Sequence, residues 1–205
     1  RPGASLDLTA VEAPDQLAAA HYYPAGYWLS LIDVPGHEEF PGTGPDGNGI
    51  SPEVVTQADW LRRMKSGTCT ACHQLGTLGT RQIPEALGPF ESSMEAWERR
   101  VLSGQAGTQM TTGIAQLGAR RALEMFADWT DRIEAGAVPP TPARPEGIER
   151  NVVITLWDWA DPTAYLHDVV STDRRDPTVN ANGPVYGALE LSADYTPVLD
   201  PNTPT

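Results

Sequence analysis

Hydrophobic residues recur at helical spacing in three stretches of this chain. Ser51-Pro52-Glu53 offers a serine N-cap, a proline at the first helical position and an acid in the first turn; Val54, Leu61 and Met64 then form an apolar stripe that Gly67 ends. Ser92-Ser93-Met94-Glu95 has capping-box spacing and opens a second helix with Met94, Trp97 and Val101 on one face and Gly104 at its end. From Ala119 to Glu134, Leu123, Phe126, Thr130 and Ile133 lie along one side, and Gly136 stops the pattern. Between these helices the sequence predicts two loops. Residues 74–90 are broken by Gly76, Gly79, Pro84, Gly88 and Pro89, and residues 104–113 are glycine-rich and contain Met110.

The flanks have a different texture. Residues 1–50 are rich in turn formers, and the aromatic and aliphatic run over 27–34 predicts one short strand entered through Pro24-Ala25-Gly26. Trp28, Leu29, Leu31 and Ile32 of that run are expected to pack against the helical body. Asp46, Asn48 and Glu53 imitate the first ligands of a calcium loop, but the later acidic positions are missing, so residues 41–49 read as turn chemistry. Residues 138–145 are proline-rich and stiff, marking the exit from the helical part. Beyond them, residues 151–159 predict a mostly buried strand, and Val185-Tyr186 and Val198-Leu199 predict two short ones. The expected architecture is a mainly α domain over 51–138, a loop-rich N-terminal extension over 1–50, and a proline-rich linker with a β-containing or irregular extension over 139–205.

Charge narrows the partners. The 27 acidic residues outweigh the 14 basic ones for a formal net charge of -13, and Lys65 is the single lysine. Nucleic acid is not expected, because neutralising phosphates needs a basic face. A protein partner with a basic docking surface would be steered in, while the same charge also serves solubility. No apolar run reaches the roughly 20 residues that span a bilayer.

The most specific chemical signal is Cys69-Thr70-Ala71-Cys72-His73. Two thiols two residues apart can each form a thioether to a vinyl group at the porphyrin edge, and the adjacent imidazole then lies under the iron, which is the attachment pattern of c-type haem. Zinc would normally need four ligands from two such clusters, and the chain has no third cysteine. A redox dithiol would usually sit at the end of a strand opening a helix and would leave the histidine unexplained. Covalent haem attachment requires an oxidising compartment, so an exported protein, periplasmic or extracellular, is expected.

Helix, haem motif, loop, helix, glycine-rich loop with methionine, helix: in this order residues 51–136 resemble a small class I cytochrome c. The resemblance implies a mainly α, cytochrome c-like fold of three or more helices around one haem c, bound through Cys69 and Cys72. It also implies iron ligated by His73 on one side and a loop methionine, here Met110, on the other. Met94 and the histidines His21, His37 and His167 are the competitors for that sixth position, whereas Met64 and Met125 read as core filler. Trp97, Arg81, Arg99 and Arg100 are candidates for contacting the haem propionates. Histidine–methionine ligation raises the reduction potential and leaves no open coordination position, which suits electron transfer. A vacant sixth position would instead suit peroxide or gas chemistry. The tail from residue 150 onward is also similar to a segment of larger exported bacterial proteins in which a cytochrome-like stretch precedes a β-propeller. That likeness implies a subunit or module that docks on a partner.

Overall fold

The computed structural model describes residues 9, 11–65, 69–70, 74–104, 106–151, 168–188 and 195–202. Among them are seven α-helices, α1 Gln16–Ala20, α2 Ala25–Leu29, α3 Gln57–Arg63, α4 Leu78–Arg81, α5 Ser93–Val101, α6 Gly107–Leu117 and α7 Ala119–Glu134, and a small sheet near the C-terminus. The molecule is mainly helical with a β-containing extension.

Helix α7 is the element on which the others are assembled, and its bounds match the periodicity of the sequence. Its buried residues, Ala122, Leu123, Met125, Phe126, Ala127, Trp129 and Thr130, occupy more than a single stripe, so the helix is covered from two sides. On one side Phe126 stacks on Trp97 of α5, ring centroids 4.8 Å apart. On the other, Trp129 donates its indole N–H to the Trp28 carbonyl at 3.0 Å, and Arg132 donates to the Leu31 carbonyl at 2.5 Å. Trp28 is itself 2 % exposed and donates to the Ala20 carbonyl. Each of these two indoles contributes roughly 1.5–3 kcal/mol of transfer free energy on burial, and both polar ends are satisfied, whereas the buried Trp60 Nε1 has no partner among the described residues. Residues 16–40 thus wrap the back of α7, and Leu29, Leu31 and Ile32 pack against the core as expected.

Three local expectations are corrected. The strand over 27–34 is instead the short helix α2 followed by a turn, in which Tyr27 N–H donates to the Pro24 carbonyl and Ile32 N–H to the Leu29 carbonyl. The apolar residues of this run are contiguous, not alternating, and a helical turn can bury Trp28 while Leu29 reaches the same core. Helix α3 begins after Thr56, whose hydroxyl accepts from the Asp59 N–H at 3.1 Å, and not at Ser51. Ser51 is engaged elsewhere: its N–H donates to the Leu117 carbonyl at 2.9 Å, and Val54 and Ile50, both fully buried, plug the core from an irregular strip. Residues 107–117, expected to belong largely to a loop, form α6.

The second predicted helix start is observed. Ser92 caps α5 by accepting from the Glu95 N–H at 3.2 Å, while the Glu95 carboxylate accepts from the Glu91 N–H at 2.9 Å, one residue before the cap. The turn reading of 41–49 also holds: Asn48 Oδ1 accepts from the Thr43 and Ile50 N–H groups. The loop 138–145 has no regular structure, and Pro139, fully buried, accepts from Gln16 Nε2.

The sheet is antiparallel in the order β1 Asp168–Val170, β2 Val185–Ala188, β3 Val198–Leu199, with Val169 opposite Gly187 and Tyr186 opposite Val198. The two short strands read from the sequence are β2 and β3. The strand expected over 151–159 falls on residues 152–159, which lie outside the described residues, as does Gly67; Asn151 ends a 3-10 turn, Gly147–Asn151.

Candidate cofactor site

Helices α5, α6 and α7 enclose an apolar hollow into which the first cysteine of the haem signature opens. Its lining comprises Cys69 and Leu75 from the segment after α3, Thr80 from α4, Trp97, Arg100 and Val101 from α5, Ala106 to Ile114 in part from α6, and Phe126 from α7. The cavity between these side chains is about 80 Å³ and is open in part to solvent.

Met110 lines this hollow together with Cys69. Its setting differs from the loop expected. Met110 lies in the first turn of α6, its N–H donating to the Ala106 carbonyl at 2.9 Å, and its side chain is half-buried. Met110, Ile114 and Leu117 stand at i, i+4 and i+7, a helical stripe present in the sequence but obscured by Gly107, Gly113 and Gly118 and by five threonine or glutamine residues around it. The glycines serve packing here. A Cβ on Gly107 would meet the Leu102 carbonyl oxygen at 2.7 Å, and Gly113 is buried in the wall of the hollow. A methionine held on a helix is positioned more rigidly than one on a loop.

Trp97 and Arg100 form the polar part of the wall. The Trp97 indole N–H, which sequence reasoning offered to a propionate, is donated to Thr130 Oγ1 at 3.1 Å inside the protein. Its ring therefore contributes apolar surface. Arg100 lies over that ring at 4.9 Å and donates Nη1 to the Thr80 and Gln82 carbonyls at 3.2 and 2.7 Å and Nη2 to the Gly79 carbonyl. These carbonyls sit in and just after α4, so the guanidinium staples α5 to the end of α4. Burial pushes Arg100 down to about 10, leaving it cationic at neutral pH.

Arg81 does not line this hollow. It points to the opposite side of α4, over the Trp28 ring at 4.0 Å, with Nη1 donating to the Gly76 carbonyl at 2.6 Å. Arg99 is exposed on α5. Among the competitors for an axial position, Met94 packs half-buried against the core but is not in the lining, Met64 and Met125 are buried core, and His21 and His37 are exposed. Cys72, His73 and His167 lie outside the described residues. Leu75, Val101, Gln109, Ile114 and Phe126 of the wall were not singled out from the sequence as site residues. For Phe126 and Val101 the apolar stripes carried the signal, but a stripe does not say whether it meets protein or ligand.

No known family, curated protein or solved structure matches this chain. Among the described residues no helix is long and apolar enough to cross a membrane.

Proposed function

We propose that this chain is an exported electron-transfer protein carrying one covalently bound c-type haem. The observation that carries the reading is that Cys69, the first residue of the haem signature, and Met110, distant in sequence, line the same apolar hollow. A hollow walled by Trp97, Val101, Ile114 and Phe126 offers apolar contacts to a flat macrocycle, with the Met110 thioether as an iron donor and the Cys69 thiol as a group that can add to a vinyl substituent. Bound there, haem would supply a one-electron ferric–ferrous couple.

The chain's residues have separable tasks in this reading. Cys69 and Cys72 would anchor the group covalently, and His73 and Met110, the latter from the first turn of α6, would hold its iron. The apolar wall excludes water and so limits charge reorganisation when the valence changes. Arg100, cationic at the hollow's wall, is the propionate partner we favour over Arg81, which faces away, and over Trp97, whose N–H is already committed. The net charge of -13 favours a redox partner with a basic docking surface.

The test is spectroscopic. The purified chain should hold one haem that acidified organic solvent fails to extract, with a low-spin ferric spectrum and the weak near-red sulfur-to-iron band. Met110→Ala should remove that band; its persistence would transfer the axial role to another methionine. Extractable pigment, or zinc in place of iron, would overturn the whole reading.

A second arrangement, a haem module docked on a partner enzyme or propeller protein, is favoured by Val169, Val170, Tyr186 and Val198, which are all exposed on the sheet. Mass measured in native extracts separates the two: a lone monomer supports the carrier, a stable larger complex the module.

A further inference from the structure

Helix α4 divides the hollow just described from a second and larger one. Thr80 faces the first and Arg81 the second, and Thr130, which receives the Trp97 N–H, closes the partition from α7. The second hollow has a volume of about 820 Å³, open to solvent, between α1, α2, residues 78–85 and the C-terminal half of α7. Leu17, Trp28, Leu78, Ile83 and Ile133 give it apolar walls.

A cation lines this hollow with its charge uncompensated. Arg81 is 8 % exposed, its guanidinium is covered on one face by Trp28, and its one hydrogen bond among the described residues goes to the Gly76 carbonyl. Among the described residues no carboxylate pairs with it. Burial pushes it down to about 10, so it remains charged at neutral pH. A guanidinium presents five N–H donors in a planar fork, and most of this fork is left over. Desolvating such a group is costly unless an anion completes it. The rim carries the exposed acids Glu85 and Glu134, which oppose a dianion such as phosphate and tolerate a single negative charge set deep beside Arg81.

We propose that this hollow binds a small organic monocarboxylate with an apolar body, the carboxylate forked on the Arg81 guanidinium beside Trp28 and the body against Leu17, Ile83 and Ile133. The site is separate from the Cys69–Met110 hollow and does not depend on what occupies that one.

Phenylacetate is a suitable probe on the full purified chain, read by saturation-transfer NMR and equilibrium dialysis, with 2-phenylethanol, phenethylamine and inorganic phosphate as comparisons. Phenylacetate should bind, with the neutral alcohol weaker by about tenfold or more and the amine and phosphate weaker still. Arg81→Lys, which keeps the charge and loses the fork, should cost about tenfold as well. Should that variant fail to fold, Ile83→Trp decides: it crowds the ligand's apolar body without removing the guanidinium and should weaken binding about tenfold or more while the circular dichroism spectrum stays unchanged. Phenylacetate that fails to bind, binds no better than the alcohol or phosphate, or binds Ile83→Trp as tightly as the unaltered chain would overturn the proposal.

Discussion

Glu39 and Arg121 form the best-defined ion pair among the described residues, with Nε to Oε2 at 2.8 Å and Nη2 to Oε1 at 3.0 Å. The Gly36 N–H also donates to Oε1 at 2.8 Å. The Arg121 hydrogen bonds hold the Glu39 carboxyl below its usual 4.5, against partial burial, which works the other way; the same contact pushes Arg121 up. Because the folded value is depressed, the unfolded chain takes up the proton more readily. The pair's contribution is therefore fully present above about pH 4.5 and is lost as pH falls through the folded value. Glu39→Gln should cost about 1–2 kcal/mol at neutral pH, and denaturant melts of the two proteins should converge as the pH drops below 4.5. At Thr130 the consequence of substitution is an orphaned donor. Thr130→Val keeps the volume but strands the buried Trp97 indole N–H, and should lower stability by about 1–3 kcal/mol in the same assay.

At the scale of elements, the corner between α6 and α7 is where local sequence and global packing meet. Gly118 has φ +107, and a Cβ there would collide with the Gly49 carbonyl oxygen and sit 2.5 Å from the Ser51 nitrogen. Neither neighbour can yield, since Ser51 N–H is bonded to the Leu117 carbonyl and Ile50 beside it is fully buried. Gly118→Ala should therefore destabilise by more than about 2 kcal/mol, well beyond the helix-propensity gain of alanine. Circular dichroism melts would check it; a neutral result would mean that residues 49–51 do not abut this corner. The reverse lesson comes from α6. Its glycines and threonines are poor helix formers, yet Met110, Ile114 and Leu117 share a face, and burying Ile114 and Leu117 against α7 outweighs propensity. The strand expected over 27–34 failed for a related reason: aromatic content suits a strand, but the described sheet lies elsewhere, and a helical turn suffices to sink Trp28 between Ala20 and Trp129.

For the whole molecule, acidity is the property that reaches furthest. On the proposed electron-transfer reading, a net charge of -13 means that exchange with a cationic redox partner should slow as ionic strength rises from about 0.01 to 0.5 M, because the Debye length falls below contact dimensions. Stopped-flow rates with a basic and an acidic small redox protein would check this: the acidic one should show the opposite slope. A rate independent of salt with both would remove surface charge from the account of partner choice. The wrapping of α7 by residues 16–40 also matters at this scale, since it places Trp28 and Arg81 on one side of α4 while Cys69 and Met110 stand on the other.

What the sequence determined by itself was local: the span of α7, the Ser92 cap, the turn at Asn48 and the two short strands at 185 and 198. Each depends on residues within a few positions of one another, so spacing and side-chain chemistry suffice. The tertiary structure alone decided the long-range matters. It put Met110 on a helix facing the Cys69 hollow, committed the Trp97 N–H to Thr130, and sent Arg81 and Arg100 to opposite sides of α4. These outcomes depend on which buried polar group finds which partner, and that competition is settled only when the elements pack, because a desolvated donor or charge takes the nearest available acceptor regardless of its distance in sequence.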